Sequence, residues 1–191
     1  MIGYNRDQQQ DESGEILTLR TDELYEEALI LLEKWDLKKA EDILLNIVDI
    51  SPQHAKAWNK LGVVFARKND LRQAEDCFNQ AIEMDSTFAS PYSNLGNIYA
   101  ERGWSERARK AYEQALILDP GNPAATHNLG ILYRKSGDIG KGIDLMKQAH
   151  RTERSRFGHK RSTKSEYSKV SKVRWIIMAI VALLVFYFLN R

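Results

Sequence analysis

Four asparagines, Asn59, Asn94, Asn97 and Asn128, are the residues whose type and spacing carry the most chemistry in this chain. A primary amide is donor and acceptor at once, so a row of them can follow the backbone of an extended peptide without demanding particular side chains. Lys60, His127 and Arg134 lie close to them in sequence and add charge or a ring nitrogen. No other group of reactive side chains forms a comparable set. His54, His127, His150 and His159 lack metal-ligand spacing, and no phosphate-cradling glycine loop is present. The lone Cys77 excludes an internal disulfide, fits a reducing compartment, and reads as a packing or surface thiol. The expectation is a protein that binds rather than catalyses, with no cofactor and no metal.

Positioning those amides requires regular elements, and the chain supplies them by repetition. Ala55-Lys56-Ala57-Trp58-Asn59-Lys60-Leu61-Gly62 returns 34 residues later as Ala89-Ser90-Pro91-Tyr92-Ser93-Asn94-Leu95-Gly96. The second halves answer each other as well: Ala74, Phe78, Ala81 and Asp85 become Ala108, Tyr112, Ala115 and Asp119. Within a unit, positions 4, 7, 8 and 11 share one face of a first helix, and positions 20, 24, 27 and 28 share one face of a second. Each unit is therefore a helical hairpin. Gly62, Gly96 and Gly130 are expected to let a neighbouring backbone approach, at about 1 kcal/mol of helix propensity each. Lys68-Asn69-Asp70, Arg102-Gly103-Trp104 and Ser136-Gly137-Asp138 supply turns, and Pro52 and Pro120 supply stops.

With this period and residue pattern the chain resembles the tetratricopeptide repeat family. The resemblance extends over four units, residues 21–54, 55–88, 89–122 and 123–154, with Ile47 replacing the small residue of position 27 in the first. It implies an all-α fold, an α-solenoid of about four helix-turn-helix repeats with a concave inner wall. The first helices would present Asn94, Asn97 and Asn128 to that wall, with Asn59 nearby. Asn94 and Asn128 match the asparagine ladder in the repeats of O-GlcNAc transferase, from which Lys60 and Glu26 depart. The carboxylate clamp of repeat co-chaperones is not matched: its positions hold Asn59, Val63, Asn94, Ala124 and Asn128, without the cations. A bland reading stands beside the ladder, in which the amides cap helices or face water. In the fourth unit Gly140 and Gly142 weaken the second helix, and Arg154 replaces the terminating proline, so that helix is expected to fray or run on.

The flanks differ from the repeats. Residues 1–20, with Gln8-Gln9-Gln10-Asp11-Glu12, show no helical period and read as a disordered leader, after which Thr21-Asp22-Glu23-Leu24 reads as a helix start. Met1 to His150 carries a net charge of −6, whereas Arg151 to Arg174 carries +7. Residues 155–174 thus form a basic linker. Beyond it Trp175 to Leu189 is uncharged and apolar all round. At ~1.5 Å per residue that run spans about 22 Å, shorter than a typical hydrocarbon core, but Trp175, Tyr187 and the flanking cations can extend it. Residues 175–190 are therefore expected to be a single-pass transmembrane tail anchor, with the repeats on the cytoplasmic side by the charge bias. A helix folded into the solenoid's groove or cap is the alternative.

The functional expectation is a membrane-anchored adaptor. Its groove holds a protein or peptide segment, its tail and basic linker meet lipid, and nucleic acid is not expected as a partner. The competing expectation is a structural component that self-assembles into a homo-oligomer through the solenoid or the tail.

Overall fold

A computed structural model of the chain describes residues 6–155, with side chains from residue 19 onward. The basic linker from residue 156 and the apolar run 175–190 lie outside the described residues. The described residues form α1 (Arg6–Glu33), α2 (Leu37–Ile50), α3 (Ala55–Arg67), α4 (Leu71–Met84), α5 (Ala89–Glu101), α6 (Ser105–Leu118) and α7 (Pro123–Lys135). An eighth, α8, occupies residues 139–155. Among the described residues no helix is long and apolar enough to cross a membrane.

The helix boundaries repeat at the period of the sequence. Helices begin at residues 37, 71, 105 and 139, and at 55, 89 and 123. The one residue of each turn in the left-handed region follows the same count: Trp35 (φ 62°), Asn69 (φ 63°), Gly103 (φ 77°) and Gly137 (φ 96°). The next residue caps the second helix. Asp36, Asp70 and Asp138 each accept a backbone N–H three residues on, from Lys39, Gln73 and Lys141 at 3.3, 3.0 and 3.1 Å. In the third unit that place belongs to Trp104, which makes no side-chain cap and forgoes about 1 kcal/mol.

Packing follows the expected faces, with one change of partner. Ala40, Ala74 and Ala108 are fully buried where the two helices of a unit cross. A Cβ on Gly62 would stand 2.6 Å from the Phe78 ring, and one on Gly96 2.5 Å from the Tyr112 ring. What needs the space in these units is thus the aromatic of position 24, rather than a neighbouring backbone. In the fourth unit position 24 is Met146, and there backbones do meet: a Cβ on Gly142 would lie 2.6 Å from the Gly130 carbonyl oxygen. Gly142 occupies unit position 20, where the other units have alanine. It permits the closest helix crossing of the described residues' glycines, and α8 continues through it and through Gly140 to residue 155.

Neighbouring units are tied by side chains that cross from one to the next. Lys68 pairs with Glu41 at 2.7 Å and Arg102 pairs with Glu75, both cations standing at unit position 14 and both carboxylates at position 21 of the unit before. At position 4 the Trp58 indole N–H donates to the Pro52 carbonyl at 2.7 Å, and the Tyr92 hydroxyl to the Ser86 carbonyl at 3.2 Å. Each large first-helix side chain thereby fixes the loop that precedes it.

The N-terminal part departs from expectation. α1 is helical from the first described residue, Arg6, and passes through Thr21, which is buried within it rather than starting a helix. Gln, Glu and Arg are good helix formers, and a helix built on propensity leaves no apolar period to read. The expected leader of residues 1–20 therefore becomes helix from Arg6 onward.

Candidate functional site

The concave wall is built by α3, α5 and α7, which lie side by side because each unit repeats the same turn geometry. On it the asparagines meet in two pairs. The Asn94 amide N–H donates to Asn59 Oδ1 at 3.0 Å, and the Asn128 N–H donates to Asn97 Oδ1 at 2.7 Å. Asn97 Oδ1 also accepts the Tyr112 hydroxyl at 2.8 Å. Asn59 is buried, Asn94 and Asn128 are half-buried, and Asn97 is exposed.

These pairs decide what each amide can still do. An asparagine has two N–H donors and an oxygen with two acceptor sites. Asn94 uses one N–H, so it has an oxygen and a second N–H left over; Asn128 donates to Asn97 and to the Tyr112 hydroxyl and keeps its oxygen. Asn97 has both acceptor sites filled and its own donors left. The bland expectation, that the amides cap helices or merely face water, does not describe them: they bridge adjacent units. The pairing also differs from a free ladder, because one amide of each pair is held by the other.

Tyr112 is a member of this set that the sequence assigned only to the apolar face. Its ring fills the space over Gly96, while its hydroxyl reaches Asn97. Burial pushes the phenol up to about 12, against the opposing pull of a hydrogen bond from Asn128. A tyrosine at position 24, where the second unit has phenylalanine, was the signal available in the sequence.

Next to the first amide pair lies a recess of about 290 Å³. Its floor is apolar, from Val63, Phe78 and Ile98, and its rim carries Arg67 and Glu101 beside Asn94 and Asn97. Opposite charges and amides around an apolar floor suit a polypeptide with mixed side chains. Lys60 is half-buried on α3 and makes no hydrogen bond to these amides among the described residues. His127 and Arg134 are drawn toward α8 instead. The His127 ring meets His150 edge-on at 6.3 Å between centroids, and an Arg134 N–H approaches the Met146 sulfur at 3.8 Å. Of the seven candidate residues, the four amides come together, and His127 and Arg134 serve the α7–α8 contact.

Cys77 is buried in α4, and burial, with Asp76 and Asp70 adding to it, pushes its thiol up to about 12. It is a packing residue.

Family models described as tetratricopeptide repeat match residues 55–88 and 77–110, and one described as TPR repeat matches residues 96–137. No curated protein matches the sequence. Among solved structures, MamA is 20% identical with a TM-score of 0.61, covering 82% of this chain and 99% of that one. The pilF protein of Pseudomonas aeruginosa is 22% identical with a TM-score of 0.66, covering 72% of this chain and 63% of that one. The first TPR of Spaghetti (RPAP3), bound to the HSP90 peptide SRMEEVD, is 22% identical with a TM-score of 0.57, covering 61% of this chain and 93% of that one. At such identities the likeness is one of fold. Family models over residues 55–137, helix register and structural neighbours together support tetratricopeptide repeats in that stretch, and the described residues are all-α with a fold similar to that family's solenoid.

Proposed function

We propose that the protein is a non-catalytic adaptor whose concave wall takes an extended polypeptide segment, and that residues 175–190 hold it at a membrane with the repeats on the cytoplasmic side. The observation that carries the first part is the pair of fixed amides, Asn94 with an unspent N–H and oxygen and Asn128 with an unspent oxygen, beside a recess with an apolar floor and a rim of both charges. Such a surface grips backbone first and side chains second. A structural neighbour with the same fold is bound to a peptide, which supports the reading. The clamp cations of the co-chaperones are absent at Asn59, Ala124 and Asn128, so a free C-terminal carboxylate is not the ligand this wall favours. The membrane part is supported by the sequence alone, through the uncharged run 175–189 and the basic interval before it.

The test is site-specific photocrosslinking of the full chain in its own cells. A photoreactive residue at Asn97, on the wall, is expected to give polypeptide adducts that one at Ile117, exposed on α6, does not. Asn94→Ala with Asn128→Ala is expected to weaken those adducts. Equal adducts at both positions, or adducts only with a second copy of the chain, would refute the groove and favour self-assembly. Carbonate-resistant pelleting of the full chain, lost in a chain ending at Lys172, tests the tether.

A further inference from the structure

We propose that the edge of the stack formed by the four intra-unit turns is a membrane-contacting surface, lying on anionic lipid headgroups with Trp35 and Trp104 as its interfacial anchors. This surface borders the peptide wall, sharing Arg67 and Glu101 with its recess, and does not depend on residues 175–190.

The turns are neighbours in space. Arg67 of the second turn donates to the Leu32 carbonyl at 2.8 Å, beside the first turn, and its guanidinium lies 4.7 Å from the Trp35 ring centroid. Arg102 of the third turn reaches the Leu71 carbonyl of the second at 3.3 Å. The third and fourth turns share a recess of about 200 Å³ between Ser105 and Ser136.

Charge on this edge runs against the rest of the domain. The four turns, residues 33–39, 67–72, 101–107 and 134–141, carry eleven Lys or Arg against six Asp or Glu, with Lys68 and Arg102 paired to Glu41 and Glu75 just outside them. The opposite edge, residues 49–56, 83–89 and 118–123, carries four acids and one lysine. A domain that is acidic in sum therefore concentrates its cations on one border.

The two tryptophans sit where backbone chemistry would choose otherwise. Trp35 occupies the left-handed position that the other turns give to asparagine or glycine, and Trp104 occupies the cap that the other turns give to aspartate. Both are exposed, at 68% and 44%, and Ile139 in the fourth turn is exposed at 58%. Trp104 also meets the Tyr99 ring at 6.0 Å between centroids, but both indoles leave apolar bulk exposed where local rules favour small or polar residues, the mark of a surface that works outside the fold. Guanidiniums lie against both indoles, with Arg102 and Arg107 at 5.1 and 4.9 Å from Trp104. An indole with its body in the acyl boundary and an arginine at phosphate level is the arrangement that headgroup layers accommodate. The six interleaved acids, Glu33, Asp36, Asp70, Glu101, Glu106 and Asp138, oppose a fixed, dense polyanion such as a nucleic acid. Mobile lipids can sort around them.

The test uses the full chain in vesicles. A spin label is placed at Gln73→Cys or Ser105→Cys on the turn edge, or at Ser86→Cys on the opposite edge, and the buried Cys77 stays unlabelled. In phosphatidylcholine vesicles with a third phosphatidylglycerol, the two turn labels are expected to lose collisions with an aqueous nickel chelate, and the Ser86→Cys label is not. Lys38→Gln with Arg72→Gln is expected to lower the docked-to-free ratio about thirtyfold. Trp104→Asp restores the missing cap, so it is expected to abolish protection while the melting temperature holds or rises. Equal accessibility at all three labels would overturn the proposal. So would equal protection on pure phosphatidylcholine, or protection conferred by an oligonucleotide or an acidic polypeptide and not by vesicles.

Discussion

Two glycines in α8 respond in opposite ways to a methyl group. Gly142→Ala drives a Cβ to 2.4 Å from Arg134 Cγ and 2.6 Å from the Gly130 oxygen, and is expected to cost about 1–3 kcal/mol. Gly140 meets nothing within 4 Å among the described residues, so Gly140→Ala is expected to stabilise by about 0.5–1 kcal/mol. Thermal melts of the two variants check both signs. At Asn59 the amide is buried and accepts from Asn94, so Asn59→Ala is expected to cost about 1–3 kcal/mol by leaving that N–H without its acceptor. The amide row was legible in the sequence because spacing decides which residues share a face. Its pairing was not, since spacing does not say which amide donates and which accepts. Gly142 was misread as a weakness for a related reason: its value appears only when it is set against Ala40, Ala74 and Ala108 at the same unit position.

Among the elements, the turns are where this repeat departs from its own rule. Asp36, Asp70 and Asp138 each cap a second helix, and Trp104 does not. Trp104→Asp is expected to stabilise by about 1 kcal/mol, seen as a higher melting temperature. Ion pairs cross from the first unit to the second and from the second to the third, and stop there. At the next junction position 14 is Ser136, and Arg109 at position 21 is held by Glu106 and Glu113 of its own helix. The fourth unit is instead attached through the Asn97–Asn128–Tyr112 set. Helix boundaries from residue 37 onward were readable because the apolar period, the turn residues and the stops agree there. Residues 6–20 of α1 escaped the same reading because helix propensity without an apolar stripe leaves no period to detect.

For the molecule as a whole, alkaline pH is a direct probe of the packing. The Cys77 thiol is held up to about 12 by burial, well above its ordinary range near 9, and the Tyr112 phenol is likewise raised to about 12. In both cases the unfolded chain gives up the proton at lower pH than the folded one. Stability is therefore full below about pH 9 and is lost progressively as pH rises toward 12. Urea titrations between pH 7 and 11 are expected to show that decline, and Cys77→Ala is expected to remove the part that begins near pH 9. Thiol alkylation at pH 8 is correspondingly expected to need unfolding first. Charge segregation and a single continuous stack also give the molecule a direction, and α1 extends it. With 28 residues against the 14 of α2, α1 overshoots its partner by ~20 Å on the side away from the turns. A fluorophore at Arg6 would ride on that overhang as on a mast, ~40 Å from the tryptophan border. Energy transfer to a lipid-borne dye would then report whether the stack stands upright or lies on its side.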